Sequence, residues 1–281
     1  MSLAVTGATG HLGGLVIDHL IARGTPADQL VALVRDPAKA SGLADRGVQV
    51  RTFDYSRPDA SALTGVDSLL LVSGTDFGHR IAQHAAVVDA ALAAGVGRLV
   101  YTSAPHADAS INPVAPEHKA TEEYLVGSGL PYVILRNGWY HENYLADRDA
   151  AARSNQVLTA SGDGRVASAS RSDLAEAAAV VLAGTETGRT YTLTGDVAWS
   201  FDDLAADLAT VLDREVTATY VTPEEKTAAL TAAGLDAGLV GFAVGVDRAI
   251  AAGELGDTTG ELSGLIGHPT APIIDTLRFR G

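Results

Sequence analysis

"TGATGHLGG", residues Thr6 to Gly14, decides the fold of this chain. The apolar segment before it, "SLAV", reads as a short strand, and the segment after it, "GLVIDHLIARG", reads as an amphipathic helix. A helix N-terminus presents unpaired N–H groups and the positive end of a dipole, which together attract phosphate. Glycines let the backbone turn tightly there and let a pyrophosphate approach. Gly7 suits the turn, Gly10 the phosphate approach, and Gly13 close packing of helix on strand. The spacing G-x-x-G-x-x-G differs from the commonest dinucleotide fingerprint, G-x-G-x-x-G. A glycine turn serving packing alone is the alternative.

Working outward, strand-like and helix-like segments alternate. "QLVALVR", "VQVRTFD", "DSLLLVSG", "RLVYTSA" and "PYVILRN" are short, apolar and often β-branched, with helical patterns such as "RIAQHAAVVDAALAAG" between them. Continuous apolar strands joined by amphipathic helices predict a parallel sheet covered on both faces, with right-handed crossovers. The expected class is α/β, a doubly wound Rossmann sheet with a small C-terminal α/β lobe. Residues 1–138 are expected to form the dinucleotide-binding core and 139–281 mostly the smaller lobe, with about 165–195 returning to the core. In that later part Ser200 reads as an N-cap followed by acids, and Pro223 and Gly234 as the start and stop of another helix.

Composition restricts the partners. The 281 residues are 47% hydrophobic and 19% charged, with net charge −14 and no cysteine. A chain this acidic repels nucleic acid and anionic membranes. The absence of cysteine removes disulfides, thiolate metal sites and cysteine nucleophiles. No apolar run is long enough to span a membrane and no secretory signal is visible, so a cytoplasmic protein is expected. The histidines show no metal-ligand spacing, and no metal is expected. Oligomeric state is not readable.

The second strand bears on which dinucleotide is held. An NAD site usually places an acid about twenty residues past the glycines, for the ribose 2′-hydroxyl. Arg35 stands there instead, with Lys39 one turn beyond. A guanidinium matches a phosphate bidentately, so Arg35 suits the 2′-phosphate of NADP and the expectation is NADPH over NADH. Asp36 is the competing reading, since it can serve the hydroxyl. Asp54, after the third strand, can bond an adenine amine. Ser73 and Gly74 end the fourth strand beside ribose and pyrophosphate, and Thr102 and Ser103 end the fifth. For Ser73 and Thr102, ordinary strand-end capping is an equal alternative.

Many reductases of this fold protonate an alkoxide with a tyrosine whose lysine partner lies four residues later. None of the eight tyrosines has a lysine at that offset, and the only lysines are Lys39, Lys119 and Lys226. Hydride addition to a ketone needs a tuned proton donor. Addition to a quinone gives a much less basic hydroquinone anion, so a site without that acid suits quinones, or no chemistry at all.

"TGATGHLGG", "ALVRDPAKA", "YTSAPHAD", "RNGWYHENYL", "SASRSDLAEAAA" and "LSGLIGHPT" together resemble the type 2 NAD(P)H:quinone oxidoreductases, in the NmrA-like atypical branch of the short-chain dehydrogenases. The resemblance runs to about residue 270. It implies NADPH as hydride donor, no flavin, and two-electron reduction of a small-molecule quinone. It implies Gly7, Thr9, Gly10, His11 and Leu12 as the pyrophosphate loop, Arg35 at the 2′-phosphate, and Asn137, Gly138, Trp139 and Tyr140 lining the nicotinamide end. Trp139, Tyr140 and Tyr144 can stack a flat quinone, with ordinary core packing as the alternative. Where other NmrA-like reductases carry a lysine four before a glutamate, this chain has His118 four before Glu122. On a helix these two can pair, which would raise the histidine's basicity and make His118 a proton donor near neutral pH. A structural histidine held by that glutamate is the alternative. His106, after the fifth strand, is either a quinone contact or structural. The competing function is a dinucleotide-sensing regulator without turnover; an epimerase is disfavoured by the missing tyrosine and lysine pair.

Overall fold

The computed structural model describes residues 1–278. Among these residues nine strands form: β1 Leu3–Thr6, β2 Leu30–Val34, β3 Gln49–Thr52, β4 Ser68–Leu71, β5 Arg98–Ser103, β6 Tyr132–Asn137, β7 Gln156–Thr159, β8 Arg189–Leu193 and β9 Thr217–Tyr220. The helices are α1 His11–Ala22, α2 Ser41–Asp45, α3 Arg80–Ala94, α4 Ala115–Gly127, α5 Leu145–Ser154, α6 Arg171–Ala183, α7 Phe201–Leu212, α8 Pro223–Ala232, α9 Ala237–Ala251, α10 Glu261–Ile266 and α11 Ile273–Arg278. The chain divides into two compact units.

The first unit comprises residues 1–104, 117–137 and 171–192. Its sheet runs in the order β3-β2-β1-β4-β5-β6-β8. The pairings from β3 through β6 are all parallel. Every residue of β1, β2, β4 and β5 is buried, as a sheet covered on both faces requires, while the edge strand β3 is partly exposed. The register pairs Thr6 with Leu33, Val34 with Thr52, Leu71 with Tyr101 and Ser103 with Arg136. The carboxyl ends of six strands therefore end almost level. The order reverses between β1 and β4, and that switch point is where ligands of open α/β sheets bind. Arg98, buried at the foot of β5, donates to Ser68 Oγ and to the carbonyls of Val181 and Leu182, which satisfies the open end of α6.

The second unit comprises, among the described residues, 105–116, 138–170 and 193–278. Its core gathers Tyr144, Trp199, Phe201, Leu204, Leu208 and Ile250. β7 and β9 pair in parallel as a separate two-stranded sheet. Ser200 and Asp203 form a capping box at α7, and Thr222 and Glu225 another at α8, where Pro223 opens the helix and Gly234 follows its end at φ +87°. Lys226 and Asp247 are a buried ion pair at 2.5 Å, and Asp247 also accepts the Ala160 N–H. The expectation that all of 1–138 belongs to the core is corrected at one segment. Residues 105–116 group with the second unit. Glu254 accepts the Ser110 hydroxyl and the Ile111 N–H, and Asp257 pairs with His106 at 3.0 Å. These contacts are between residues far apart in sequence, which no local pattern announces.

Candidate functional site

The glycine turn after β1 takes the form its residues dictate. Gly7 has φ +57°, in the left-handed region, and its carbonyl accepts the Gly10 N–H at 2.8 Å. A Cβ on Gly13 would lie 2.4 Å from the Gly7 carbonyl oxygen, so only glycine lets α1 sit this close to the turn. Gly10 caps α1 without a side chain, and the first turn of α1 carries no acid. The N–H groups at that end are left unblocked by side chains, with Thr9, Gly10 and His11 exposed and Leu12 buried beneath them.

Beside this turn, β2 leads into Arg35. Arg35 and Lys39 are exposed, and neither forms an ion pair among the described residues. Asp36 Oδ1 accepts the Ala38 N–H at 3.1 Å and caps the short 3-10 turn that carries Lys39. Asp54 is likewise engaged, accepting the Ser56 N–H at 2.9 Å. That turn carries Tyr55, whose hydroxyl lies 2.5 Å from Thr6 Oγ1 and 2.7 Å from the Val72 carbonyl. Thr6 Oγ1 in turn donates to the Leu70 carbonyl and accepts the Val72 N–H. Tyr55 thus ties the ends of β1 and β4 together across the switch point, and burial drives its phenol pKa up.

Past β4, the Ser73 N–H donates to the buried Thr102 hydroxyl at 2.8 Å, and Thr102 lies 3.3 Å from Ser73 Oγ. These two residues bond each other across adjacent strand ends, as strand-end capping predicts. The Gly74 N–H donates to Nε2 of His84, on α3, at 3.0 Å.

His118 and Glu122 are brought near the end of β5 but do not pair as expected. Glu122 accepts the Ser103 hydroxyl at 2.5 Å and forms a two-pronged pair with Arg136, at 3.0 and 2.7 Å. His118 is buried, with Nδ1 2.8 Å from the Tyr101 hydroxyl. Burial, reinforced by the positive charge of Arg80 and by His84, pushes its pKa down to about 3. The ring is therefore neutral near pH 7, and the expected cationic donor does not form. Burial also raises the Tyr101 phenol.

Asn137, the last residue of β6, is the most informative side chain of the set. It is buried, and neither Oδ1 nor Nδ2 has a hydrogen-bond partner. Buried amides are almost always paired, and leaving one unpaired costs about 1–3 kcal/mol. An unpaired donor and acceptor on a strand's carboxyl end fit a ligand that supplies both.

In the second unit, His106 stands at φ +51°, uncommon for a side chain with a Cβ, and is held by Asp257. Trp139 stacks on Phe242 with ring centroids 6.4 Å apart. Tyr140 is half-buried, bridges to Ala169, and leads into the His141–Tyr144 turn.

The family profile described as NAD(P)H-binding matches residues 7–185. Quinone oxidoreductase 2 of Escherichia coli (strain K12) is 46% identical, over 98% of this chain and 97% of its own. The chain belongs to the type 2 quinone oxidoreductase family. Among solved structures, the NADPH-dependent quinone oxidoreductase of E. coli complexed with NADPH superposes on this family member with TM-score 0.93, at 45% identity and 98% coverage of both chains. The Citrobacter sp. triphenylmethane reductase complexed with NADP(H) gives TM-score 0.91 at 40% identity, covering 99% of each. This member of the family has an NAD(P)H-binding fold, and among its described residues no helix is long and apolar enough to cross a membrane.

Tyr55, His84 and Tyr101 were not legible as site residues. Tyr55 follows Asp54 directly at a strand end, which is a usable signal. His84 and Tyr101 meet their partners only in three dimensions.

Proposed function

We propose that this protein reduces quinones with NADPH, by direct hydride transfer and without flavin. The observation that carries the reading is the full-length identity to E. coli Quinone oxidoreductase 2. The site's own chemistry supports it. NADPH, when bound, supplies the hydride from its nicotinamide. The N-terminus of α1, with no side-chain cap and no acid in its first turn, suits the pyrophosphate, and Arg35 with Lys39 suits the 2′-phosphate. Ser73, Gly74, Thr102 and Ser103 border the same strand ends, and Asp54 keeps one carboxylate oxygen beyond its turn contact for adenine. The Asn137 amide offers a donor and an acceptor to a carboxamide.

The phenols Tyr55 and Tyr101 are engaged with Thr6, Val72 and His118, and burial holds both protonated. Neither is tuned as an acid near pH 7. A product of low basicity, such as a hydroquinone anion, asks little of a proton donor, so protonation from solvent completes the reduction. His106 and the Trp139–Tyr140 pair are assigned to the quinone. The test is NADPH consumption on adding benzoquinone or naphthoquinone to protein whose visible spectrum shows no flavin. Quinone-dependent loss of nicotinamide absorbance is expected. Its absence, with tight NADP(H) binding by calorimetry, would favour a sensor without turnover.

A further inference from the structure

The loop that follows β4 is held from below by two helices, through groups that the assignments above do not use. At one end the Gly74 N–H donates to His84 Nε2. Because Nε2 accepts, the neutral ring carries its proton on Nδ1 and donates it to Thr121 Oγ1, 3.1 Å away. Thr121 passes its own proton to the Glu117 carbonyl at 2.9 Å. At the other end the Gly78 N–H donates to Glu117 Oε1 at 2.8 Å. Arg80 closes the ring: it pairs with Glu117 at 2.8 Å and reaches the Gly74 carbonyl at 3.4 Å. His84 and Arg80 are buried on α3; Glu117 and Thr121 are one turn apart on α4. Gln83 adds a bond to Asp76, inside the loop, at 2.8 Å.

This loop lies across the switch point from the glycine turn. A Cβ on Gly74 would be 3.7 Å from His84 Nε2 and 3.8 Å from the Tyr55 ring, so the backbone rests on both. A loop that becomes ordered only when ligand binds loses affinity to that ordering. Here the polar groups of α3 and α4 do the ordering beforehand. His118 is the residue after Glu117, so the same turn of α4 carries the loop's anchor and the histidine that meets Tyr101.

We propose that His84 and Glu117 are positioning residues, which hold the Gly74 and Gly78 amides so that the dinucleotide meets a preformed loop. The inference rests on the reading that the dinucleotide lies along these strand ends. Neither residue touches the ligand; both act through the loop backbone.

The test compares His84→Leu and Glu117→Ala with the conservative His84→Gln and Glu117→Gln, each of which keeps an acceptor oxygen. In nucleotide-free protein, hydrogen exchange at residues 74–78 should quicken roughly tenfold in the first pair and recover in the second, as loss of one hydrogen bond predicts. The NADPH Kd and KM should rise about tenfold in the first pair, with kcat within about twofold. Unchanged exchange with unchanged Kd overturns the proposal. So does a fall in Tm with kcat and KM affected alike and no recovery in the glutamine variants. If His84→Leu does not fold, the partly exposed Glu117 pair decides. A wild-type protein that fails to oxidise NADPH would defeat the functional reading, while the exchange comparison still tests the clasp.

Discussion

Replacing Arg35 by alanine should weaken NADPH binding and leave NADH binding nearly unchanged. Arg35 is exposed at the end of β2 and forms no ion pair among the described residues, so its removal leaves no buried partner stranded. A 2′-phosphate carries close to two negative charges. A charge-assisted pair with a guanidinium is worth about 1.5–3 kcal/mol, and solvent exposure favours the lower half of that range. Lys39 stays nearby and retains part of the attraction. The expected loss is therefore about 1.5–2 kcal/mol, or roughly 10- to 30-fold in NADPH Kd. NADH, lacking the phosphate, should change by less than about twofold. Calorimetry with both nucleotides on wild type and Arg35→Ala gives the comparison. Repeating it at high ionic strength should shrink the NADPH difference, because exposed pairs are screened. Equal losses for the two nucleotides, or a difference indifferent to salt, would refute the assignment.

Three further outcomes follow from the same structure. Gly13→Ala drives a methyl to 2.4 Å from the Gly7 carbonyl, so α1 must shift; thermal unfolding should report about 1–3 kcal/mol of lost stability, and NADPH affinity should fall with it. Asn137→Leu removes an unpaired buried amide, so denaturant unfolding should show stability unchanged or raised by about 1 kcal/mol, while kcat/KM falls at least about tenfold. His84, His118 and His141 have pKa values lowered by burial to about 3, 3 and 4, below the unfolded value. Their stabilisation is complete above about pH 6.5 and is lost as pH falls toward 3–4, on the order of 2 kcal/mol each by pH 5. Burial raises Asp147 to about 6, so it acts oppositely, favouring the fold as pH falls from 6 toward 4. Tm measured at pH 7 and 5 should fall, the histidines outweighing the single aspartate.

Much of the sheet was legible because the reading rested on single residues and short periods. Buried parallel strands are continuous apolar runs, and Gly7 and Gly13 permit a backbone that other residues oppose. Ser200 and Pro223 announce helix starts through local bonds alone. Reading failed where a polar group had two possible partners. His118 and Glu122 are one turn apart, yet Glu122 is claimed by Ser103 and Arg136 from two neighbouring strands, and His118 turns to Tyr101. Residues 105–116 have no strong period, and Glu254 and Asp257 determine where they belong.

The central claim is that hydride passes from NADPH straight to a quinone in a protein without flavin. Single-turnover mixing of protein-bound NADPH, protiated or deuterated at the transferred position of C4, with naphthoquinone tests it most directly. The account predicts one hydroquinone formed per NADPH oxidised, a slower transfer with the deuterated nucleotide, the label lost from C4, and no flavin absorbance at any time. Transfer that requires added flavin, or bound NADPH that survives the quinone unchanged, would contradict it.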